Sequence, residues 1–466
     1  MHPLLILLLG TVVVIFCIIK LRIGAFFGLM LAALLVSFLA PREMGDKITR
    51  VITALGGTAG KISLIIACAA VIGKCMMDSG AADRIVRAFL NALGEKRSPI
   101  ALMSSGFVLS VPVFFDTVFY LLVPLARSLH EKTRKNYLLY ILAIGGGAAI
   151  THTLVPPTPG PLAMAENLGF DVGIMIIVGI AVSMPCAIAA LLYAGWVQKR
   201  LDIPMRPIAG GSEELAKSEP AMEETALPGL FPSLLPIILP VLLISTNTVV
   251  STLSKSATEG SFLLKISPYT ALFGNSNLAL MLSAAFALLL WVNHCRPSRE
   301  QVGQGIESAM MSAGVIILIT AAGGAFGAML KTAGVGPVIQ DMFTGGGSSS
   351  AYVLIFIGWV TACLLKISQG SSTVAMITTS SIMAAMITPE TLTMHPVYLA
   401  TAIGCGSLCG SWMNDSGFWI VAKMSGLTEV EALKTWTIAL VILSVTGLLI
   451  TLLLATVLPM RIPFGD

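Results

Sequence analysis

The chain has 466 residues, of which 56% are hydrophobic and 11% charged, with a mean hydropathy of +0.90. Those values exclude a soluble globular domain and require a protein that crosses the bilayer many times. The net charge of +4 calls for no nucleic-acid partner, because Lys and Arg cluster in loops, where they orient membrane helices.

Apolar runs occupy roughly residues 3–19, 22–40, 61–77, 99–129, 137–165 and 172–197 in the first half. Most approach the ~20 residues that a helix needs to cross the hydrocarbon core. The first run lacks a basic leader and predicts an ordinary span, not a cleaved signal peptide. A loop of mixed charge follows at Arg42, Glu43, Asp46, Lys47 and Arg50. Gly60-Lys61 resembles the end of a phosphate-binding loop, but Ile62 and Leu55 stand where Ser or Thr and the first Gly belong, so no ATP motor is predicted. The 99–129 run is broken by Val111-Pro112-Val113-Phe114-Phe115-Asp116 and flanked by Arg97 and Arg127. Basic residues on both flanks predict a hairpin that dips into the membrane and returns. Next, Pro156, Pro157, Pro159 and Pro161 interrupt the passage from His152 onward; proline lacks an amide donor, so the backbone must open there.

A hydrophilic stretch from Gln198, carrying Glu213, Glu214, Glu219, Glu223 and Glu224, predicts a flexible linker at 198–229. It divides the chain into a first transmembrane repeat at 1–197 and a second at 230–466. The second half has runs at 230–252, 269–293, 306–330, 351–389, 396–422 and 433–458. Gly345 to Ser350 reads as a flexible turn. The 351–389 run is broken around Lys366 to Thr373, and the 396–422 run at Ser411 to Gly417. The eight cysteines sit mainly in apolar runs, Cys405 and Cys409 read as small-residue packing, and neither a metal site nor a cofactor is predicted.

The halves look like copies. Val111 and Leu365 open the two hairpin breaks at an offset of 254, and Ala143-Ile144-Gly145-Gly146-Gly147 matches Ala402-Ile403-Gly404-Cys405-Gly406 at 259. Ordered matches of this kind point to duplication. Arg127, Lys132, Arg134 and Lys135 place the start of the 137–165 run inside, whereas its counterpart starts beside Glu390 and ends near Lys423 and Lys434. The two therefore run oppositely. The predicted fold is an all-α polytopic membrane protein of two inverted repeats, each with about five transmembrane helices, a re-entrant helical hairpin and a broken helix. Both termini are expected outside.

Open backbone at membrane depth must be buried in protein or line a watery cavity, so the four breaks are expected to meet at one site. Half-helix amino termini there suit an anion. Ser368, Gln369, Ser371, Ser372 and Thr373 offer hydroxyl and amide partners to a polyhydroxylated carboxylate, and Asn414 and Ser416 flank the other break. An ionised side chain at the bilayer centre costs on the order of 3 kcal/mol, which singles out Asp116, Lys366 and Asp415. Lys366 either meets a substrate carboxylate or serves as counter-ion to an aspartate. Asp116 and Asp415 are candidate proton carriers, with helix capping as the other reading of Asp415. His152 either binds substrate or protons or acts as a hydrogen-bonded spacer.

Val111 to Pro124 (VPVFFDTVFYLLVP), His152 to Pro161 (HTLVPPTPGP) and Lys366 to Thr378 (KISQGSSTVAMIT), supported by Asn414 to Trp419 (NDSGFW), resemble the gluconate permease (GntP) family of proton symporters. The resemblance implies a multi-pass carrier of the bacterial inner membrane that imports gluconate or a related sugar acid with protons, and it adds Thr158 to the binding residues. Two positions depart from the family's pattern, which has His where Thr158 stands and Arg where Lys366 stands. A guanidinium grips a carboxylate with two parallel bonds whereas an ammonium is a point charge, so the departure bears on substrate choice. Sodium coupling, and D-serine or a short hydroxy acid as substrate, are the nearest alternatives, and a homo-oligomer is left open. An intramembrane enzyme using Asp116, His152 and Asp415 is disfavoured because there is no nucleophile elbow and no metal-binding histidine pair. A passive channel is the remaining alternative.

Overall fold

Residues 2–21, 23–41, 44–201, 203–206, 227–254, 261–335, 337–338, 348–388 and 391–460 are described by a computed structural model. The linker glutamates Glu213, Glu214, Glu219, Glu223 and Glu224, the charges Arg42, Glu43 and Glu390, and Gly345 to Gly347 lie outside the described residues.

In chain order the helices are α1 (Pro3–Ile15), α2 (Ala25–Leu39), α3 (Asp46–Asp78), α4 (Ala81–Leu93), α5 (Ser98–Leu109), α6 (Phe115–Thr133), α7 (Tyr137–Leu154), α8 (Pro159–Leu168) and α9 (Val172–Arg200). They continue with α10 (Leu230–Ser254), α11 (Phe262–Phe273), α12 (Ser276–Cys295), α13 (Arg299–Thr332), α14 (Ser348–Gln369), α15 (Ser372–Met386), α16 (Val397–Gly406), α17 (Ser416–Ser425) and α18 (Glu429–Val457). Among the described residues, 8 helical stretches are long and apolar enough to cross a membrane, α7 and α8 counting as one. The chain is an all-helical, multi-pass membrane protein.

Several elements differ from the sequence reading: α4 is an additional helix, the 269–293 run divides between α11 and α12 at Gly274, and two further differences fall at charged or polar residues. The helix expected over 61–77 begins already at Asp46, so Lys47 and Arg50 belong to α3 and not to a loop. Their charges are absorbed at the end of α2: Lys47 Nζ donates to the Phe38 carbonyl at 2.7 Å and Arg50 donates to the Ser37 hydroxyl at 2.7 Å and to its carbonyl. Cations at a helix carboxyl end meet unpaired carbonyls and the negative end of the dipole. The second difference is at Ser348, Ser349 and Ser350, which form the first turn of α14 and not the end of a flexible turn.

Both hairpins double back. At the start of α5, Ser98 Oγ donates to Tyr140 Oη at 3.3 Å, and farther along Gly147 of α7 lies against the Met103 carbonyl. Hence α5 runs parallel to α7. In α6 the order reverses, since Phe114 at its start lies 6.0 Å from the His152 ring while Arg127 donates to Tyr137 Oη at 3.1 Å. The arms are therefore antiparallel, with the Pro112 turn deep beside the end of α7. The contact with α7 requires glycine at 147, because a methyl group there would strike the Met103 carbonyl oxygen.

In the second hairpin, α14 runs parallel to α16, as Gly358 faces Leu399 and Ile403 while Ile367 faces Gly410 beyond the end of α16. Gly370, at φ +86°, turns the chain into α15. That left-handed conformation favours glycine over residues with a Cβ. Helix α15 then runs alongside α8, with Met376 against Gly160 and Asn167 Nδ2 donating to Ser380 and Ser381 at 2.9 and 3.1 Å.

Two broken helices, α7–α8 and α16–α17, lie antiparallel. Tyr137 Oη at the start of the first donates to the Ser425 carbonyl at the end of the second at 2.8 Å, and at the opposite ends Phe170 meets His395 at 5.5 Å between ring centroids. They and the hairpins share one large core with α9 and α18. A smaller core joins α1, α2, α3 and α13 around Phe326 and Leu330. The start of the proposed linker is packed: α9 runs to Arg200, and Arg206 donates to Glu431 with both terminal nitrogens at 2.6 and 2.8 Å.

Candidate functional site

Where the hairpin turns approach the broken helices, a cavity of ≈ 300 Å³ opens. The amino-terminal residues of α6, α15 and α17 line it: Phe115 and Asp116 from the first, Ser372 to Val374 from the second, Ser416 and Gly417 from the third. Each helix start presents backbone N–H groups and the positive end of a helix dipole, a combination that favours an anion. Ala149, His152 and Thr153 of α7, Ile316 and Ile319 of α13, and Trp436 and Leu440 of α18 complete much of the wall.

The charged side chains are unequally paired. Lys366, 2% exposed, places Nζ 2.7 Å from Asp415 Oδ2 and donates to the Gly370 carbonyl at 2.6 Å. Asp415 also accepts from the Ser411 hydroxyl, and its Oδ1 accepts the Gly417 amide at 3.0 Å. It therefore caps α17 and neutralises Lys366 at once, so both the counter-ion reading of the lysine and the capping reading of the aspartate describe the observed contacts. An ammonium has three donors, and two are engaged here. Asp116, in the first turn of α6, has neither an ion pair nor a side-chain hydrogen bond among the described residues. It shares the cavity with Lys366 and Asp415.

Of the residues singled out from the sequence, Asp116, His152, Lys366, Ser371, Ser372, Thr373, Asp415 and Ser416 come together on this wall. Thr158, Gln369 and Asn414 do not. Thr158 is buried and donates to the Val155 carbonyl at 2.6 Å, closing the break between α7 and α8. Gln369 brackets its own turn, donating to the Ser371 carbonyl at 2.6 Å and accepting the Ser371 amide at 3.1 Å. Asn414 donates to the Ile367 carbonyl at 2.7 Å, which ties the broken helix to the hairpin. Ser368 turns back onto the Leu364 carbonyl at 2.6 Å. The aromatic wall of Phe114, Phe115 and Trp436 escaped the sequence reading. Phe114 and Phe115 stand inside a quoted passage but carry no polar signal, and Trp436 lies in an unbroken apolar run.

Comparison with known proteins agrees with this architecture. Residues 2–457 match the family described as GntP family permease. The inner membrane permease YgbN of Escherichia coli (strain K12) is 32% identical over 457 residues, covering 95% of this chain and 96% of that one. A gluconate permease of Bacillus licheniformis is 30% identical over 456 residues, 97% of this chain and 99% of the relative. Among solved structures, the YdaH transporter of Alcanivorax borkumensis superposes with a TM-score of 0.66 at 14% identity, over 99% of this chain and 100% of that one. The chain thus belongs to the GntP permease family, and it is a membrane transporter and not an enzyme.

Proposed function

We propose that the protein is a proton symporter that carries gluconate or a related small hydroxylated carboxylate across the bacterial inner membrane by alternating access. The observation that carries this reading is the charge balance of the cavity. With every group ionised it holds two carboxylates, Asp116 and Asp415, against one ammonium, Lys366. A substrate carboxylate entering beside an unpaired Asp116 meets a like charge in a poorly screened site. One proton on Asp116 removes that repulsion, so anion and proton enter together. The helix amino ends and the free donor of Lys366 then receive the carboxylate.

The halves, residues 1–197 and 230–466 joined by the segment 198–229, act in this reading as inverted repeats whose hairpins dip into the membrane and whose exchange of conformation moves the site between faces. Antiparallel broken helices support it. The name gluconate permease borne by a relative at 30% identity supports the substrate class, and the name inner membrane permease supports the location.

In proteoliposomes, an inward proton gradient should accelerate uptake of labelled gluconate and an uncoupler should abolish accumulation; indifference to both removes the proton coupling. Replacing sodium with choline at fixed pH leaves uptake unchanged for a proton symporter and stops it for a sodium-coupled carrier. Asp116→Asn should retain exchange of internal for external substrate while losing gradient-driven accumulation. Accumulation at the parent rate in that variant excludes Asp116 as the proton site.

A further inference from the structure

Two aromatic pairs hang from the first hairpin turn into the cavity wall, and each contains a ring nitrogen with no partner. Phe114 meets His152 edge-on at 6.0 Å, and His152 Nδ1 is buried without a hydrogen bond. Phe115 stacks on Trp436 at 5.7 Å with 22° between ring planes, and the indole Nε1 is likewise buried and unbonded. All four residues line the cavity, but neither nitrogen is open to it in this state, so a ligand reaches them only as the rings shift. A buried donor or acceptor left unpaired is destabilising and uncommon, and it calls for a partner the protein itself does not supply.

Trp436 is held in this position by an unusual local structure. Residues Leu433–Thr437 form a π-helical turn within α18. The Tyr193 hydroxyl of α9 donates to the carbonyls of Lys434 and Thr435 at 3.2 and 3.3 Å, and Thr437 Oγ1 donates to the Ser411 carbonyl at 2.5 Å. Single π turns inside helices recur at functional sites. Gly145 of α7 leaves room for the indole, since a Cβ at that position would overlap its six-membered ring. The turn is thus buttressed from two other elements, and the ring it presents still lacks a partner for its N–H.

We infer that Trp436 and His152 form a hydroxyl-recognising subsite that reads the carbon chain of the substrate beyond its carboxylate. A hydroxyl both donates and accepts, so it satisfies the indole N–H and either tautomer of the imidazole. The faces of Phe115 and Trp436 offer apolar contact to the C–H groups between hydroxyls. Lys366 and the helix amino ends hold the charged end, and the aromatic pairs measure the hydroxylated chain attached to it. The inference rests on the carboxylate reading above and assigns it a chain-length preference.

The test is the affinity of the purified full-length protein for gluconate and for glycolate, which has a carboxylate and one hydroxyl but no further chain. The parent should prefer gluconate. Trp436→Phe keeps the ring and deletes the N–H, so it should weaken gluconate by about fivefold to tenfold and glycolate by less than about twofold. His152→Phe should show the same selectivity. If Trp436→Phe binds neither ligand, the His152→Phe comparison decides. Equal loss for both ligands, no loss for either, or a parent that binds glycolate as tightly as gluconate overturns the subsite and leaves the carboxylate reading standing. A parent that binds no carboxylate removes that reading and the subsite together.

Discussion

Lys366 is the residue on which site and fold most directly compete. Its ammonium bridges Asp415 and the Gly370 carbonyl, and breaking a buried ion pair by removing one partner typically costs about 3–5 kcal/mol. Lys366→Gln should therefore lower the melting temperature and also weaken gluconate more than an uncharged polyol of the same length. Equal weakening of the two ligands, measured by calorimetry on the folded variant, would assign the lysine to structure alone. His395 offers a separate titration outside the spans. Burial holds its imidazole down from the usual 6.5 to about 4, and its Nδ1 accepts the Val397 amide at 3.1 Å at the start of α16. The unfolded chain takes up the proton near pH 6.5 and the folded chain near pH 4, so stability present above pH 6.5 is lost as the pH falls through that window. The loss approaches about 3 kcal/mol below pH 4. His395→Asn, which keeps an acceptor without a titration, should show a flatter melting temperature between pH 7.5 and 4.5; an unchanged slope would clear His395 of the effect.

Helix packing supplies a second class of test. Gly147→Ala should destabilise the protein by about 1–3 kcal/mol, because the added methyl meets a backbone carbonyl of α5 that cannot swing aside. Gly57→Ala, on an exposed face of α3 with nothing within 4 Å, should gain up to about 1 kcal/mol from helix propensity. Opposite signs in detergent melts are the expected result, and two losses would mean that propensity and packing are misjudged here. The breaks themselves were legible: proline and charge inside apolar runs located the interruptions before α6, between α7 and α8, before α15 and between α16 and α17. Helix limits were less so. Hydropathy placed the start of α3 about four turns too late, since it counts Lys47 and Arg50 as solvated and has no knowledge of the carbonyls at the end of α2. Side-chain direction was the harder loss. Gln369 and Asn414 carry the right chemistry for a substrate, yet both direct it at neighbouring backbone, while Trp436 has only its indole N–H to signal a site.

For the whole molecule, the proposed topology of two inverted repeats places both termini outside. A thiol-reactive, membrane-impermeant label directed at a cysteine added after Asp466 should react from outside intact cells; labelling only after lysis would reverse the topology. The antiparallel pair α7–α8 and α16–α17 has a mechanical meaning as well. Tyr137 joins Ser425 at one extremity and Phe170 joins His395 at the other, so the two broken helices form a closed frame and not two levers. Sliding one strut along its neighbour must part a corner, whereas carrying the frame as a body parts neither. On the alternating-access reading proposed above, the openings between α7 and α8 and between α16 and α17 would stay in register through a rigid displacement of the frame, and a substrate bound between them would be carried with it.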